Sequence, residues 1–229
     1  MIPPAAALIV LAKAPEPGRA KTRLCPPATP AQAADLAAAS LLDTLDAVAG
    51  VPGAASVVVL TGRLAGAVRA SELIAALQGF RVLPQRGHGL GERIAAAHAD
   101  TAALLPGRAT LLVGMDTPQA DAALLEACLE RLRAPGTDAV LGPAADGGWW
   151  VLGLRDPLAA QLVADVPTSR DDTGERTLQA LRNAGLRVGL LPELTDVDTA
   201  ADAVAVAAEA PSGRFAAAVA RCRTFVAVP

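Results

Sequence analysis

Short apolar runs alternate with longer, alanine-rich amphipathic stretches along the chain, and this alternation limits the possible folds more than any other feature. Such a pattern is typical of repeated β-α-β units around a largely parallel sheet, so the predicted fold class is α/β. We predict strands at residues 6–12, 56–61, 81–84, 109–115, 139–142, 149–154 and 187–191. We predict helices at residues 30–48, 64–77, 91–105, 118–132, 157–164, 172–184 and 200–210.

Residues 138–154 hold two predicted strands with no room for a helix between them, so we expect a mixed sheet. No repeat, low-complexity linker or charge block divides the chain. We therefore expect residues 1–229 to form a single domain. Residues 212–229 are weakly patterned, and we expect them to be a peripheral tail that could contribute to a homo-oligomer contact.

The apolar fraction of 52% includes much alanine, which favours helix, and no apolar run approaches the roughly 18 residues that a bilayer span requires. The apolar stretch at residues 5–12 has no basic segment before it, unlike a signal peptide. The three cysteines are widely spaced and unpaired in pattern, which indicates reduced thiols. We expect a cytoplasmic protein without a membrane span.

Several classes of partner are disfavoured by composition. The net charge is −3, and the chain has no tyrosine and three phenylalanines, so neither a basic surface nor stacking platforms for nucleic acid are indicated. The two histidines, His88 and His98, do not form a zinc motif, and His98 is interpreted as a surface or packing residue rather than a catalytic one. The expected partners are therefore small molecules.

Asp116 directly follows the uncharged apolar run at residues 110–115. Thr117 and Pro118 are typical of a helix N-cap and its first-turn proline, so Asp116 is not needed to cap the next helix. A free carboxylate at the carboxyl end of a buried strand is where open α/β sheets bind ligands. The alternative is a solvated aspartate in a turn.

The loop after the first predicted strand carries four cations, Lys13, Arg19, Lys21 and Arg23, against a single acid. Like charges this close repel one another unless an anion lies among them. A nucleoside di- or triphosphate would supply that anion, because lysine and arginine both bind phosphate. The alternative is a solvated basic loop, and neither a P-loop nor a G-x-G-x-x-G motif is present.

Two further segments are candidates for the nucleotide site. Thr61 ends the second predicted strand in a turn that could border a bound base. The segment from Gln85 to Arg93 has three closely spaced glycines, which allow a backbone to approach a ligand, and it opens the next helix with free N–H groups. We include Gln85, Gly91 and Glu92 among the predicted nucleotide contacts, although Glu92 could simply complement the helix dipole.

The glycine-rich turn at residues 142–150 contains a carboxylate and the only two tryptophans. Alternation along a strand sends one indole to the core and leaves the other free to line an acceptor pocket. Asp146 is either an Asx-turn residue or a contact to an acceptor hydroxyl. The predicted acceptor contacts are Asp146, Gly147 and Trp149.

Asp198 repeats the arrangement of Asp116, because Thr199 is a predicted N-cap with Asp202 three residues later as an imperfect capping box. Asp116 and Asp198 would then be two spare carboxylates at helix N-termini. Magnesium commonly takes one or two protein carboxylates and completes its shell with water and substrate phosphates. The pair therefore predicts a divalent cation site that needs no histidine.

Five ordered motifs resemble a known family: L-A-K-A-P-x-P-G-x-x-K-T-R-L (11–24), Q-x-G-x-x-L-G-E-R (85–93), G-x-D-x-P (114–118), G-P-A-x-D-G-G (142–148) and D-V-D-T (196–199). Over residues 8–208, the chain resembles small bacterial glycosyltransferase-A-like proteins of unknown function in the nucleotide-diphospho-sugar transferase superfamily. It is more distantly similar to 2-phospho-lactate guanylyltransferase.

The resemblance implies a Rossmann-like α/β/α sandwich of the glycosyltransferase-A type that binds a nucleotide at the carboxyl ends of the strands, with Mg²⁺ or Mn²⁺. It also implies that Asp116 and Asp198, the latter chosen over Asp196, bind the metal. The chain departs from the family pattern at residues 167–169, at the alanine pair before Asp146 and at the tryptophan pair, all on the expected acceptor side.

The expected activity is metal-dependent glycosyl transfer from a nucleotide-activated sugar. The predicted catalytic residues are Asp116, Lys21 and Asp146: Asp116 and Asp198 hold the metal, Lys21, Arg23 and Arg19 neutralise the leaving group, and Asp146 acts as the base. One alternative is nucleotidyl transfer with release of pyrophosphate. Another is a nucleotide-binding sensor without catalysis.

Overall fold

The computed structural model describes residues 6–222 together with residues 224 and 225. In this part of the chain, one sheet contains β1 (Ala7–Lys13), β2 (Ala55–Thr61), β3 (Arg81–Pro84), β4 (Thr110–Gly114), β5 (Ala139–Pro143), β6 (Trp149–Leu154) and β7 (Val188–Leu190). Their order across the sheet is β3-β2-β1-β4-β6-β5-β7. The predicted α/β class and all seven predicted strands are confirmed.

Strand β6 runs antiparallel to both of its neighbours, β4 and β5, whereas the other neighbouring strands are parallel. The reason is local, because the turn between β5 and β6 is too short for the crossover that a parallel pair requires. The sheet is therefore mostly parallel but mixed, as the sequence predicted.

Helices cover both faces of the sheet. They are α1 (Pro30–Ala49), α2 (Ala70–Leu77), α3 (Leu90–Leu104), α4 (Ala122–Arg133), α5 (Thr173–Asn183), α6 (Ala200–Glu209) and α7 (Arg214–Arg221), with short 3-10 helices at Thr22–Leu24, Leu64–Gly66 and Pro157–Val163. Helices α1, α2 and α4 pack on the first face, and α3, α5 and the 3-10 helix at Pro157–Val163 pack on the second.

Strand β1 lies inside the sheet and is apolar on both faces. Leu8 and Val10 belong to the core cluster of the first face, and Ile9 belongs to that of the second. Two-sided burial explains why the strand reads as a continuous apolar run. The chain order reverses between β1 and β4, and in open α/β sheets the carboxyl ends at such a point form a binding crevice.

Two predicted helices begin later than expected. The segment 64–77 is divided into a 3-10 helix and α2, with Arg69 at a left-handed φ of 55° before α2. Helix α4 begins at Ala122, and its N-cap is Asp121, whose side chain accepts a hydrogen bond from the Leu124 N–H. The prediction that Thr117 caps this helix and that Pro118 opens it was wrong, because Asp121 offers a competing cap one turn later.

Helix α7 lies within the segment that was expected to be a weakly patterned tail. Phe215 and Val219 of α7 are buried against α1 and α6 in a third apolar cluster. Arg214 of α7 also forms ion pairs with Asp43 and Asp46 of α1. Residues 223 and 226–229 of the expected tail lie outside the described residues.

A search of the described residues finds no helix both long enough and apolar enough to traverse a bilayer. All three cysteines, which fall within the described part of the chain, are free thiols.

Candidate active site

A cleft of about 460 Å³ opens at the carboxyl ends of the strands. Its lining includes most of the predicted site residues: Lys13, Arg23, Thr61, Gln85, Asp116, Asp146, Trp149 and Asp198. A second cavity of about 270 Å³ shares Lys13, Arg23, Asp116 and Asp198 with the cleft and is also lined by Arg19 and Lys21. The fold thus brings residues from widely separated loops to one place.

The ammonium of Lys21 joins the two aspartates that were predicted to share a cation. Its Nζ atom lies 2.9 Å from Asp116 Oδ1 and 3.3 Å from Asp198 Oδ1, and it also donates to the Val197 carbonyl. The Lys21 side chain is only 10% exposed, so it is fixed between these partners. We call Lys21 with Asp116, Asp196 and Asp198 the acid cluster.

Charge in the acid cluster is not balanced. Burial alone would lower the pKa of Lys21, but the carboxylates of Asp116, Asp198 and Asp196 raise it above its usual value, so this lysine stays charged. Burial, followed by repulsion from Asp116 and Asp146, raises the pKa of Asp196 to about 7. One ammonium therefore compensates a larger number of carboxyl groups.

Backbone contacts hold Asp116 at the end of β4. The Val197 N–H donates to the Asp116 carbonyl at 3.0 Å, which links this loop to the segment after β7. The buried Ser40 hydroxyl of α1 donates to the Met115 carbonyl at 2.6 Å. The carboxylate of Asp116 is not used as a helix cap and lies at the cleft, where Lys21 is its partner, although Thr117 is not the cap that the sequence suggested.

A helix cap positions Asp198, as predicted. The Thr199 side chain accepts from the Asp202 N–H at 3.2 Å, and the Asp202 carboxylate accepts from the Thr199 N–H at 2.7 Å. This capping box at the start of α6 is confirmed. Arg23 Nη1 donates to Asp198 Oδ2 at 2.8 Å, so Asp198 contacts two cations of the first loop.

The protein itself supplies much of the anionic charge among the four cations of the first loop. Lys21 and Arg23 contact Asp116 and Asp198, and Arg19 lies 3.6 Å from Glu16. The sequence suggested that these crowded cations need a phosphate among them. The structure shows that carboxylates of the protein already lie beside three of the four, so crowding alone does not require a phosphate. Lys13 has no carboxylate partner within the described residues and lines both cavities.

Gln85 and Thr61 line the cleft beside β1 and β2. The Gln85 side-chain amide donates through Nε2 to the Ala12 carbonyl at 2.7 Å and to the Val59 carbonyl at 3.1 Å. Both amide hydrogens are used by the backbone, and only the amide oxygen can face a ligand. That oxygen is an acceptor.

Gly91 and Glu92 do not line the cleft. A Cβ atom at Gly91 would lie 2.3 Å from the Ala164 carbonyl oxygen, so this glycine permits α3 to pack closely on the segment after Val163. The Glu92 carboxylate accepts from the His88 N–H at 2.7 Å. The structure gives these two residues local structural contacts and does not bring them to the other predicted nucleotide contacts.

The turn between β5 and β6 forms part of the cleft wall. Asp146 Oδ1 accepts from the Gly148 N–H at 2.8 Å, the Asx-turn geometry, while the residue remains exposed at the cleft. Gly147, at φ 86°, packs on the Asp171 backbone, where a Cβ atom would lie 1.9 Å from the carbonyl oxygen. Trp150 is buried and donates to the Pro192 carbonyl at 2.9 Å, whereas Trp149 lines the cleft. One indole thus faces the core, as expected.

The acid cluster is chemically suited to a hard divalent cation. Asp196 Oδ1 is buried and has no hydrogen-bond partner within the described residues, and Asp116 and Asp198 converge on one point. No set of three or more potential ligand side chains in the described residues is arranged to hold a metal by itself. Mg²⁺ and Mn²⁺ sites that include phosphate and water ligands do not require three protein side chains.

Two parts of this site were not among the residues predicted from the sequence. Asp196 was set aside in favour of Asp198, although its spacing in D-V-D-T was visible. Arg93 and the segment Thr168–Ser169–Arg170 also line the cleft. The family resemblance placed residues 167–169 on the expected acceptor side, but Arg170 was assigned no role. Ser169 has a left-handed φ of 60°.

The fold is shared with solved structures of nucleotide-sugar transferase-like and nucleotidyltransferase proteins. The chain matches a protein from Desulfovibrio desulfuricans G20, provisionally named a nucleotide-diphospho-sugar transferase, with a TM-score of 0.81, 27% identity and 96% of each chain covered. It shares the fold of CMP:2-keto-3-deoxy-manno-octonic acid synthetase solved with CTP (TM-score 0.58, 15% identity, 90% of this chain and 98% of the other). It also shares the fold of 4-diphosphocytidyl-2C-methyl-D-erythritol synthase (TM-score 0.55, 13% identity, 92% and 100%).

Residues 44–170 match the model of the family DUF2064, described as uncharacterized proteins conserved in bacteria, and the chain belongs to this family. No curated protein matches it. The predicted resemblance to a family of nucleotide-diphospho-sugar transferase-like proteins is confirmed.

Proposed function

We propose that this protein transfers a group from a nucleotide-activated donor to a small acceptor, and that glycosyl transfer from a nucleotide-sugar is its reaction. The observation that carries the proposal is the convergence of Asp116 and Asp198 on Lys21 Nζ at the edge of the cleft. The name given to the Desulfovibrio protein, which aligns over 96% of this chain, supports the choice of a nucleotide-sugar.

An exchange of ion pairs explains how this site accepts a donor. Asp116, Asp198 and the orphaned Asp196 oxygen would hold Mg²⁺ or Mn²⁺, which stabilises negative charge on a departing nucleoside diphosphate. With those carboxylates engaged by a cation, Lys21 and Arg23 would be available to contact phosphate oxygens. Lys13, which has no carboxylate partner among the described residues, adds a further cation beside the same cavity.

The acceptor side of the reaction is assigned to the turn after β5. An acceptor hydroxyl attacks the anomeric carbon of the sugar, the new C–O bond forms, and the bond to the nucleoside diphosphate breaks. Asp146 Oδ2 receives the hydroxyl proton, because Oδ1 is occupied by the Gly148 N–H. Trp149 offers an apolar surface beside it.

Nucleotidyl transfer is the second candidate. The presence of cation-binding carboxylates on loops after β4 and after β7, with cations of the first loop between them, would equally suit a nucleoside triphosphate. The fold shared with a synthetase solved with CTP favours the same candidate. In that reaction a phosphorylated acceptor attacks the α-phosphate, and pyrophosphate leaves.

A thermal-shift panel of nucleotides and nucleotide-sugars, with and without Mn²⁺, tests the common basis of both candidates. A ligand at about a hundred times its dissociation constant should add roughly 2.7 kcal/mol to the free energy of unfolding. The Asp116→Asn variant should lose the Mn²⁺-dependent part of the shift. Asp121→Asn is the matched control, because asparagine caps a helix as well as aspartate.

Product analysis then separates the alternatives. Release of a nucleoside diphosphate supports glycosyl transfer, and release of pyrophosphate supports nucleotidyl transfer. Nucleotide binding without turnover over a broad acceptor panel supports a sensor. The whole proposal is overturned if Mn²⁺ and nucleotides shift wild type and Asp116→Asn equally, or shift neither.

A further inference from the structure

We propose that Arg93 and Arg170 form a binding subsite for an anionic group, a phosphate or a carboxylate, on the acceptor of this protein. This inference rests on the proposed function, since it names the class of acceptor. We call the two arginines with Thr168 and Ser169 the arginine wall. All four residues line the cleft together with Trp149.

Arg93 is a half-buried cation with unused donors. Its Nε donates to the Gly87 carbonyl at 3.2 Å, and the described residues provide no carboxylate partner for its guanidinium. It is also the fourth residue of α3, near the helix N-terminus, where the helix dipole disfavours positive charge. Neither a neighbouring carboxylate nor the helix dipole compensates the positive charge of this arginine. Such a guanidinium is suited to binding an external anion.

Arg170 is a second arginine that lines the cleft, and it shares its carboxylate partner with another arginine. Asp172 accepts from Arg170 at 3.0 Å and from Arg176 at 2.7 Å, so one carboxylate is shared between two arginines. Arg176 and then Arg170 lower the pKa of Asp172, which therefore stays ionised. Even so, Arg170, Arg176 and Asp172 together carry a net positive charge. Asp172 itself does not line the cleft.

The segment that carries Arg170 is braced. Thr173 accepts from the Arg170 N–H at 3.2 Å and donates to the Pro167 carbonyl at 3.1 Å. These bonds hold Ser169 at its left-handed φ of 60°, which costs free energy for a residue with a Cβ atom. Strained backbone that its neighbours hold in place is often found at ligand sites, and here it presents the Arg170 segment to the cleft.

The position of the arginine wall agrees with an acceptor rather than a donor. Arg93 and Arg170 belong to the layer on the second face of the sheet, with α3 and α5, whereas Lys21 and Arg23 precede α1 on the first face. The carboxylates of the acid cluster would repel an anionic acceptor. A cationic wall on the other layer holds the anion of the acceptor while its hydroxyl reaches Asp146 and the donor.

Binding of acceptor-like probes tests this proposal without turnover. We would titrate hydroxy compounds of three to six carbons in matched sets, such as glycerol 3-phosphate, glycerate and neutral glycerol, and record tryptophan fluorescence and calorimetry. Wild type should bind phosphate- or carboxylate-bearing probes and not their neutral counterparts. The two anionic arms show whether the subsite prefers a phosphate or a carboxylate.

Variants locate the site of binding. Arg93→Gln and Arg170→Gln should each weaken the anionic probe by roughly tenfold or more, since a charge-assisted hydrogen bond is lost. Arg182→Gln, an exposed arginine on α5 that does not line the cleft, is the control. Lys13→Gln should weaken nucleotide and leave the probe unaffected.

The outcomes separate this inference from the proposed function. Nucleotide binding that is normal in Arg93→Gln and Arg170→Gln, with loss of probe binding, supports the arginine wall. The inference is overturned if no anionic probe is preferred over its neutral counterpart, if both variants bind probes like wild type, or if they lose nucleotide instead. A failure of nucleotide to bind wild type would overturn the proposed function and leave the probe result to be judged on its own.

Discussion

Strand β4 has a polar cluster at each end, and the two clusters differ in charge and in access. At its amino end, Thr110 shares a 2.7 Å hydrogen bond with Nδ1 of His98 on α3, and both residues are fully buried. At its carboxyl end, Asp116 joins the acid cluster, which opens to the cleft. The amino end of β4 therefore carries a polar pair that serves packing, whereas its carboxyl end carries a charged cluster that is accessible from the cleft.

The cause of the difference is the solvation of charge. Burial lowers the pKa of His98 to about 3, so the imidazole is neutral and no counter-ion is needed. In the acid cluster, burial and then the neighbouring carboxylates raise the pKa of Asp196, yet Lys21 is kept charged. Charge that is retained at a cleft despite its cost indicates a functional site.

Removal of Lys21 should have the largest effect. We expect Lys21→Met to lower the free energy of unfolding by about 3 kcal/mol, because it leaves Asp116 and Asp196 without their cation and Asp198 with Arg23 alone. Mn²⁺ should restore more stability to this variant than to wild type, since it can take the place of the ammonium. Thermal or urea unfolding with and without Mn²⁺ measures both effects.

Lys13→Met is the control for Lys21→Met, because Lys13 has an exposed side chain and no carboxylate partner in the described residues. Its effect should remain within about 0.5 kcal/mol. If both variants were equally stable, Lys21 would not be the counter-ion of the acid cluster.

The His98 pair should show its effect in the pH dependence of stability. The folded-state pKa lies below the unfolded value, so acid adds a proton to the unfolded chain first, and stability falls as pH falls from about 6.5 towards 3. Between pH 7 and 4.5, protonation of this residue in the unfolded chain should lower the free energy of unfolding by roughly 2.5 kcal/mol. A His98→Met/Thr110→Val double variant, which leaves no hydroxyl unpaired, should lack that part of the acid sensitivity in denaturant titrations.

His88→Gln provides the reference for the histidine experiment, since His88 is exposed. It should follow the wild-type pH profile closely. A double variant at residues 98 and 110 with an unchanged acid slope would show that burial of His98 does not control acid stability.

The helix cap beside Asp198 should have the smallest effect. Thr199→Ala removes half of the capping box of α6 and should cost about 1 kcal/mol. Because Arg23 and Lys21 also hold Asp198, we expect the affinity for Mn²⁺ to change much less than in Asp198→Asn. Paired unfolding and Mn²⁺ titrations compare the two variants, and equal losses of affinity would mean that the cap alone orients Asp198.

Local patterns predicted much of the fold and part of the site. Two-sided burial makes β1 a continuous apolar run, and the Thr199–Asp202 spacing predicts a cap that the structure confirms. The predicted start of α4 was wrong because Thr117 and Asp121 are both plausible N-caps, and the choice between them depends on packing. Asp196 and Arg93 were missed because neither residue has a local partner that signals its role.

The sequence by itself determined the alternation of strands and helices, and hence the sheet whose carboxyl edge carries the candidate site, because side-chain periodicity and turn chemistry act over a few residues. Only the tertiary structure decided which charges meet. Lys21 is separated from Asp198 by 177 positions along the chain. Their contact depends on the strand order that places β1 next to β4, and on the hydrogen bond from the Val197 N–H to the Asp116 carbonyl that ties the segment after β7 to the loop after β4. Electrostatic energy depends on distance in space and on burial, and neither is written in local sequence.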